Sequence, residues 1–185
     1  MKVLLNPGHD KTRDSGAINP YSGLRECDVA ADIGERVRGY LAAAGCTVHV
    51  IQSDNLCGEV PALPCVVDTA NSWPADIFVS LHCNACHGDA QGTETLVYVT
   101  GGESEKLAEC IQRQIVNSCG TVDRGIKERP HLVVLNSTDM PAVLVEMAFI
   151  DNDEDCQVLT LHADEMARAI ARGVTDYECI CEGSN

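Results

Sequence analysis

Ile77-Phe78-Val79-Ser80-Leu81, followed at once by His82, is the stretch that decides the fold. A short continuous apolar run of this kind reads as a strand covered on both faces. Working outward, Val3 to Asn6 reads as a first strand, stopped by Pro7-Gly8, and residues 10–25 read as a polar loop. From Glu26 to Ala44 the residues Val29, Ile33, Val37 and Leu41 recur every four positions, a helical stripe that Gly45 can cap. Residues 46–51 form a second strand. Gly58, Pro61 and Pro64 exclude one long helix over 53–64, and a shorter helix follows to about Asn71. Leu96 to Val99 reads as a further strand, and Leu107, Ile111 and Ile115 mark a helix over 103–117. Two apolar runs follow, Leu132 to Leu135 and Ala142 to Val145, and then a last helix over roughly 154–173. Strands alternating with helices predict an α/β single domain with a twisted, mostly parallel or mixed sheet and helices on both faces. The predicted division is a domain over 1–174 and a loosely held tail over 175–185.

Composition narrows the partners. The chain has 185 residues, with 13 Lys+Arg against 28 Asp+Glu, a formal charge of −15. That balance argues against nucleic acid or an anionic membrane surface, which are held by neutralising phosphates. Aromatics, at 4%, leave few platforms for stacking bases. No run reaches the roughly 18 apolar residues of a membrane span, and the opening MKVLLNPGHD lacks the apolar core of a signal peptide. The eleven cysteines are odd in number and irregularly spaced, so most are expected to be reduced, small, buried hydrophobes.

In an open sheet, ligands gather at the carboxyl ends of strands. His9 follows the first strand, His82 ends the buried one and Glu146 ends the run Ala142 to Val145, while Glu26 opens the first long helix. If those strands are parallel, His9, His82 and Glu146 meet on one rim. Two imidazoles and a carboxylate are a common zinc set, with a second carboxylate as general base. On pattern alone, either glutamate can be ligand or base. Glu26 also suits a helix start without any metal, and a histidine after a strand is commonly structural. Cys83-Asn84-Ala85-Cys86-His87 matches the haem-attachment pattern and contains a CxxC. A haem, redox or structural-metal role is disfavoured, since haem attachment goes with export and no second CxxC completes a zinc set. His49, His131 and His162 read as incidental.

Five blocks together resemble the zinc-dependent N-acetylmuramoyl-L-alanine amidases of the type-3 group, which cut peptidoglycan. They are NPGHDKTRDSGA (6–17), GLRECDVA (23–30), ADIFVSLHCNA (75–85), DRGIK (123–127) and PAVLVEMAFIDNDED (141–155), in the family's order. The resemblance implies zinc held by His9, Glu26 and His82, with Glu146 as the catalytic glutamate. It implies hydrolysis of the amide between N-acetylmuramic acid and L-alanine, with peptidoglycan as partner and no nucleic acid, membrane or haem. Arg124 is a candidate for a stem-peptide carboxylate, or for a structural ion pair. Asn84 is a candidate for the substrate rim, or for capping the next turn. Departures from the family pattern fall near that rim: Asp10-Lys11 after the first histidine, Gln52-Ser53-Asp54 after the second strand, and Leu135-Asn136. The alternatives are a zinc peptidase acting within the stem peptide and a wall-binding protein without catalysis. The expectation for place is synthesis in the cytoplasm and action on the wall after release, as a phage lysin or in mother-cell lysis.

Overall fold

A computed structural model describes residues 1–183. Six strands form one sheet: β1 (Lys2–Pro7), β2 (Thr47–Val50), β3 (Ile77–Asn84), β4 (Thr93–Val97), β5 (Asp123–Glu128) and β6 (Ala142–Phe149), in the order β2-β1-β3-β6-β4-β5. β2, β1, β3 and β6 are parallel. β4 runs against β6, and β5 runs parallel to β4. The sheet is therefore mixed, with its reversal between β6 and β4.

Alternation along β3 explains its unbroken apolar run. Ile77, Val79 and Leu81 face a large core with the helices α1 (Glu26–Ala43), α3 (Glu103–Cys119) and α6 (Ala163–Gly183). Phe78 faces a smaller core under α2 (Val66–Ser72) and α4 (Val133–Asn136). The stripe Val29, Ile33, Val37 and Leu41 is wholly buried, and Gly45, at φ +94°, turns the chain out of α1. On the second face the polar side chains are paired: Ser80 Oγ donates to Asn6 Oδ1 at 2.9 Å, and Asn6 Nδ2 donates to Ile51 O at 2.9 Å. That polar row leads along β3 to His82. No helix among the described residues is long and apolar enough to cross a membrane.

The structure departs from the sequence reading in several places, and β3 and β6 run on past His82 and Glu146 to Asn84 and Phe149. β4 begins at Thr93, and Tyr98 and Val99 lie beyond it, half exposed. Leu132 to Leu135 is not a strand but the short helix α4. β5 has no predicted counterpart. The single last helix is two, α5 (Asp153–Leu161) and α6, with His162 between them. α6 continues without a break through the predicted tail to Gly183, with Tyr177 buried. Of the cysteines, Cys27, Cys46, Cys83 and Cys110 are buried, but Cys57, Cys86 and Cys179 are exposed. The tail's last two residues lie outside the described ones.

Candidate active site

Parallel β1, β3 and β6 bring their carboxyl ends to one rim, and the loop after β1 folds back over it. Gly8 hands the chain to His9, whose φ of +63° is a strained setting for a residue with a side chain. Paired backbone hydrogen bonds between Asp10 and Asp14 close the small loop that holds it there. Asp14 Oδ2 lies 2.6 Å from His9 Nδ1, which leaves Nε2 to face inward, 3.1 Å from Glu26 Oε2. His82 Nδ1 is 3.0 Å from the other oxygen, Glu26 Oε1. The amides of Ala17 (2.8 Å) and Cys83 (2.9 Å) also donate to the Glu26 carboxylate. One donor atom from each of His9, Glu26 and His82 lies within 4.8 Å of the others. Two glycines make this approach feasible. A Cβ at Gly8 would sit 2.3 Å from the His82 ring, and one at Gly16 would sit 2.5 Å from Glu26 Oε2.

The charges fit a cation site. Burial alone would raise the Glu26 carboxyl, but the hydrogen bonds from His82 and His9 outweigh it and hold the carboxyl far below its usual range. Burial opposes protonation of His9, yet Glu26 and Asp14 push its pKa up to about 9. In this arrangement protons occupy the place a divalent ion takes when neutral imidazoles become ligands. Two imidazoles and one carboxylate, with room left on the rim, are a donor set suited to zinc.

Glu146 stands beside this cluster, opposite His82 in the β3–β6 register. Its Oε2 is shut off from solvent and has no hydrogen-bond partner. Burial pushes the carboxyl up to about 7, with His82 opposing and Glu26 and Glu94 adding to the rise. A carboxylate left unpaired at such a place is costly unless chemistry uses it. Glu94, opposite Glu146 on β4, is also buried. Its Oε2 accepts from Arg124 Nε at 2.8 Å and from Lys127 Nζ at 2.5 Å. Below the histidines lies a cavity of about 160 Å³, walled by Leu56, Leu132, Val134 and Leu144.

Of the residues named from sequence, His9, Glu26, His82 and Glu146 come together. Arg124 is ion-paired to Glu94 and lies 4.9 Å over the Phe149 ring. Asn84 accepts from the Ala85 amide, the turn-holding role, and also donates to Glu94 Oε1 at 3.3 Å. Cys83 faces the core, while Cys86 lines a surface cavity. Burial, with Glu26 and Glu146 near, holds the Cys83 thiol well above its usual range. Asp14, Glu94 and Lys127 were not singled out. The signal for Glu94 is a lone charge between two threonines, hidden because the apolar run begins only at Leu96.

A family model described as N-acetylmuramoyl-L-alanine amidase matches residues 3–176. The amidase LytC of Bacillus subtilis is 37% identical over 180 residues, covering 95% of this chain and 35% of LytC. The uncharacterised protein YqiI of the same organism is 36% identical, covering 95% of this chain and 84% of YqiI. The chain thus spans about a third of one relative and most of the other. Among solved structures, the amidase AmiC2 of Nostoc punctiforme superposes with a TM-score of 0.83 at 31% identity, covering 96% of this chain and 97% of AmiC2. Sequence and fold agree, and the chain belongs to the N-acetylmuramoyl-L-alanine amidase family.

Proposed function

We propose that the chain hydrolyses the amide between the lactyl group of N-acetylmuramic acid and L-alanine in peptidoglycan, with zinc held by His9, Glu26 and His82. The observation that carries this reading is the partnerless, buried Glu146 Oε2 beside the His/Glu/His cluster. Zinc, when bound, supplies Lewis acidity toward the amide carbonyl and lowers the pKa of a water in its shell.

The chain's own groups do the rest. Asp14 fixes the His9 ring, and the amides of Ala17 and Cys83 fix Glu26, so the donors need no rearrangement. Glu146, basic enough at neutral pH to accept a proton, takes one from the attacking water at its free oxygen. It returns that proton to the L-alanine nitrogen as the amide bond breaks, which makes the amine a leaving group. The contacts of Arg124 and Asn84 with Glu94, beside Glu146, support a place for both on the peptide side of the site.

The test is digestion of purified peptidoglycan with and without chelator, followed by zinc add-back and labelling of new amino termini. New L-alanine amines that vanish with chelator and return with zinc support the reading. A different terminus with the same metal dependence would make the chain a peptidase. Intact peptidoglycan would leave a binding role.

A further inference from the structure

A bulge in β5 gathers two cations that a regular strand would separate. Arg124 and Lys127 are three residues apart, so in an unbroken strand their side chains would point to opposite faces. Between Thr93↔Asp123 and Thr95↔Ile126 the register slips, so Arg124 and Gly125 together oppose Glu94. Gly125, at φ +75°, supplies the turn that this slip needs. Both cations then close on one oxygen of Glu94, so two positive charges meet one negative in a chain of net charge −15.

The two cations are held differently. Arg124, with its side chain 33% exposed, donates to Glu94 and to Gln91 O at 3.4 Å and lies on the face of Phe149, which fixes its guanidinium. Lys127 makes one contact, to Glu94, and its side chain is 32% exposed. An ammonium carries three donors, so two remain for a ligand. His82, Glu146 and Glu94 occupy neighbouring register positions across β3, β6 and β4. At about 4.8 Å per strand, the cations lie roughly 10 Å along the face from His82. The cavity below the histidines is lined by Asp14 and Asp54, which are paired with His9 and Arg13. With consecutive Cα atoms about 3.8 Å apart, the carboxylate of the second stem residue lies about 7 Å from the scissile carbonyl, within reach of a lysine at that distance. That residue is a glutamate joined through its side chain, with its α-carboxyl either free or amidated.

We infer that Lys127 binds the free α-carboxylate of the second stem-peptide residue and makes the site selective against stems amidated there. The inference rests on the proposed amidase reading and adds the specificity of the same site. The experiment measures binding, so it does not depend on which bond is cut. Zinc-loaded Glu146→Ala protein is titrated calorimetrically with N-acetylmuramoyl-L-alanyl-γ-D-glutamate, either as the free acid or as its α-amide. The free acid binds roughly tenfold more tightly, as a part-exposed charged hydrogen bond allows. Adding Lys127→Met abolishes the difference, and Lys127→Glu reverses it. Glu94 keeps Arg124 in both variants, and a thermal scan confirms that they are folded. Equal affinities with Lys127 present, or a preference that survives Lys127→Met, would overturn the inference. Binding of neither ligand would overturn it too, and intact peptidoglycan in the digestion would then remove the amidase reading as well. A different bond cut, with the free-acid preference kept, would remove the amidase reading alone.

Discussion

Glu146 and His9 carry opposite electrostatic burdens, and each gives a measurable sign. Glu146 has a folded pKa raised from the ordinary 4.5 to about 7, so ionising it costs folding energy. Metal-free Glu146→Gln therefore gains stability over the parent as pH rises above about 4.5, with the gain complete above about 7. The gain is at most about 3 kcal/mol, read from denaturant unfolding across pH. The same variant keeps its zinc, measured by metal analysis, but loses turnover by roughly 10²–10⁴-fold, the usual range for a general base. His9 has a folded pKa raised from 6.5 to about 9 by Glu26 and Asp14, against burial. Its contribution is present in full below about 6.5 and is lost as pH rises through about 9. The metal-free protein should thus lose thermal stability over that interval, and zinc should restore it by taking the proton's place. A loss running the other way would show that His9 is not paired as described. Activity falls on the acid side, where Glu146 protonates and the imidazoles release metal; a bound divalent ion shifts the Glu146 limb below 7.

At the scale of elements, the glycines beside the site separate metal binding from folding. Gly16 sits at φ +64°, and a Cβ there would meet Glu26 Oε2 and His9 Cδ2, each at 2.5 Å. Gly16→Ala is expected to weaken zinc binding by roughly 10–100-fold in a chelator competition, with a smaller effect on unfolding. The same scale shows why some parts were legible beforehand. His9, His82 and Glu146 each follow an apolar run and Glu26 opens an amphipathic helix, so the pattern located all four, although β3 and β6 continue past His82 and Glu146. Their roles came from the resemblance, because pattern could not tell ligand from base. β5, Asp-Arg-Gly-Ile-Lys-Glu, is an edge strand with no apolar alternation and a bulge in its middle, and it gave no strand signal. The start of β4 is polar yet buried, because Thr93 and Thr95 are satisfied by Thr121, Met147 O and Gln112. Those pairings are long-range and invisible in local sequence. The α5–α6 break was missed because the apolar pattern runs on across His162.

Across the whole molecule, α6 packs closely across α3 over the larger core. A Cβ at Gly173 would lie 2.5 Å from Ile111 Cα, so the two helix backbones touch there. Gly173→Ala is expected to cost about 1–3 kcal/mol, since backbone must move to admit the methyl group, and a thermal scan reads it. Ending the chain at residue 174 removes buried Tyr177 and its hydrogen bond to Glu103. That loss is worth roughly 2–3 kcal/mol, or about 5–10 °C in midpoint. An unchanged midpoint would show that the last turns of α6 add nothing to the core. The reversal between β6 and β4 leaves β5 as the outer strand on that side, with its far edge unpaired. An open edge is a template on which another chain can add a strand, and charged side chains are a common guard against that. Asp123, Arg124, Lys127 and Glu128 crowd this strand, and such charges guard an open margin against strand addition. Replacing them with apolar residues to retune substrate choice would therefore carry a penalty in self-association, visible as light scattering before any change in the metal centre.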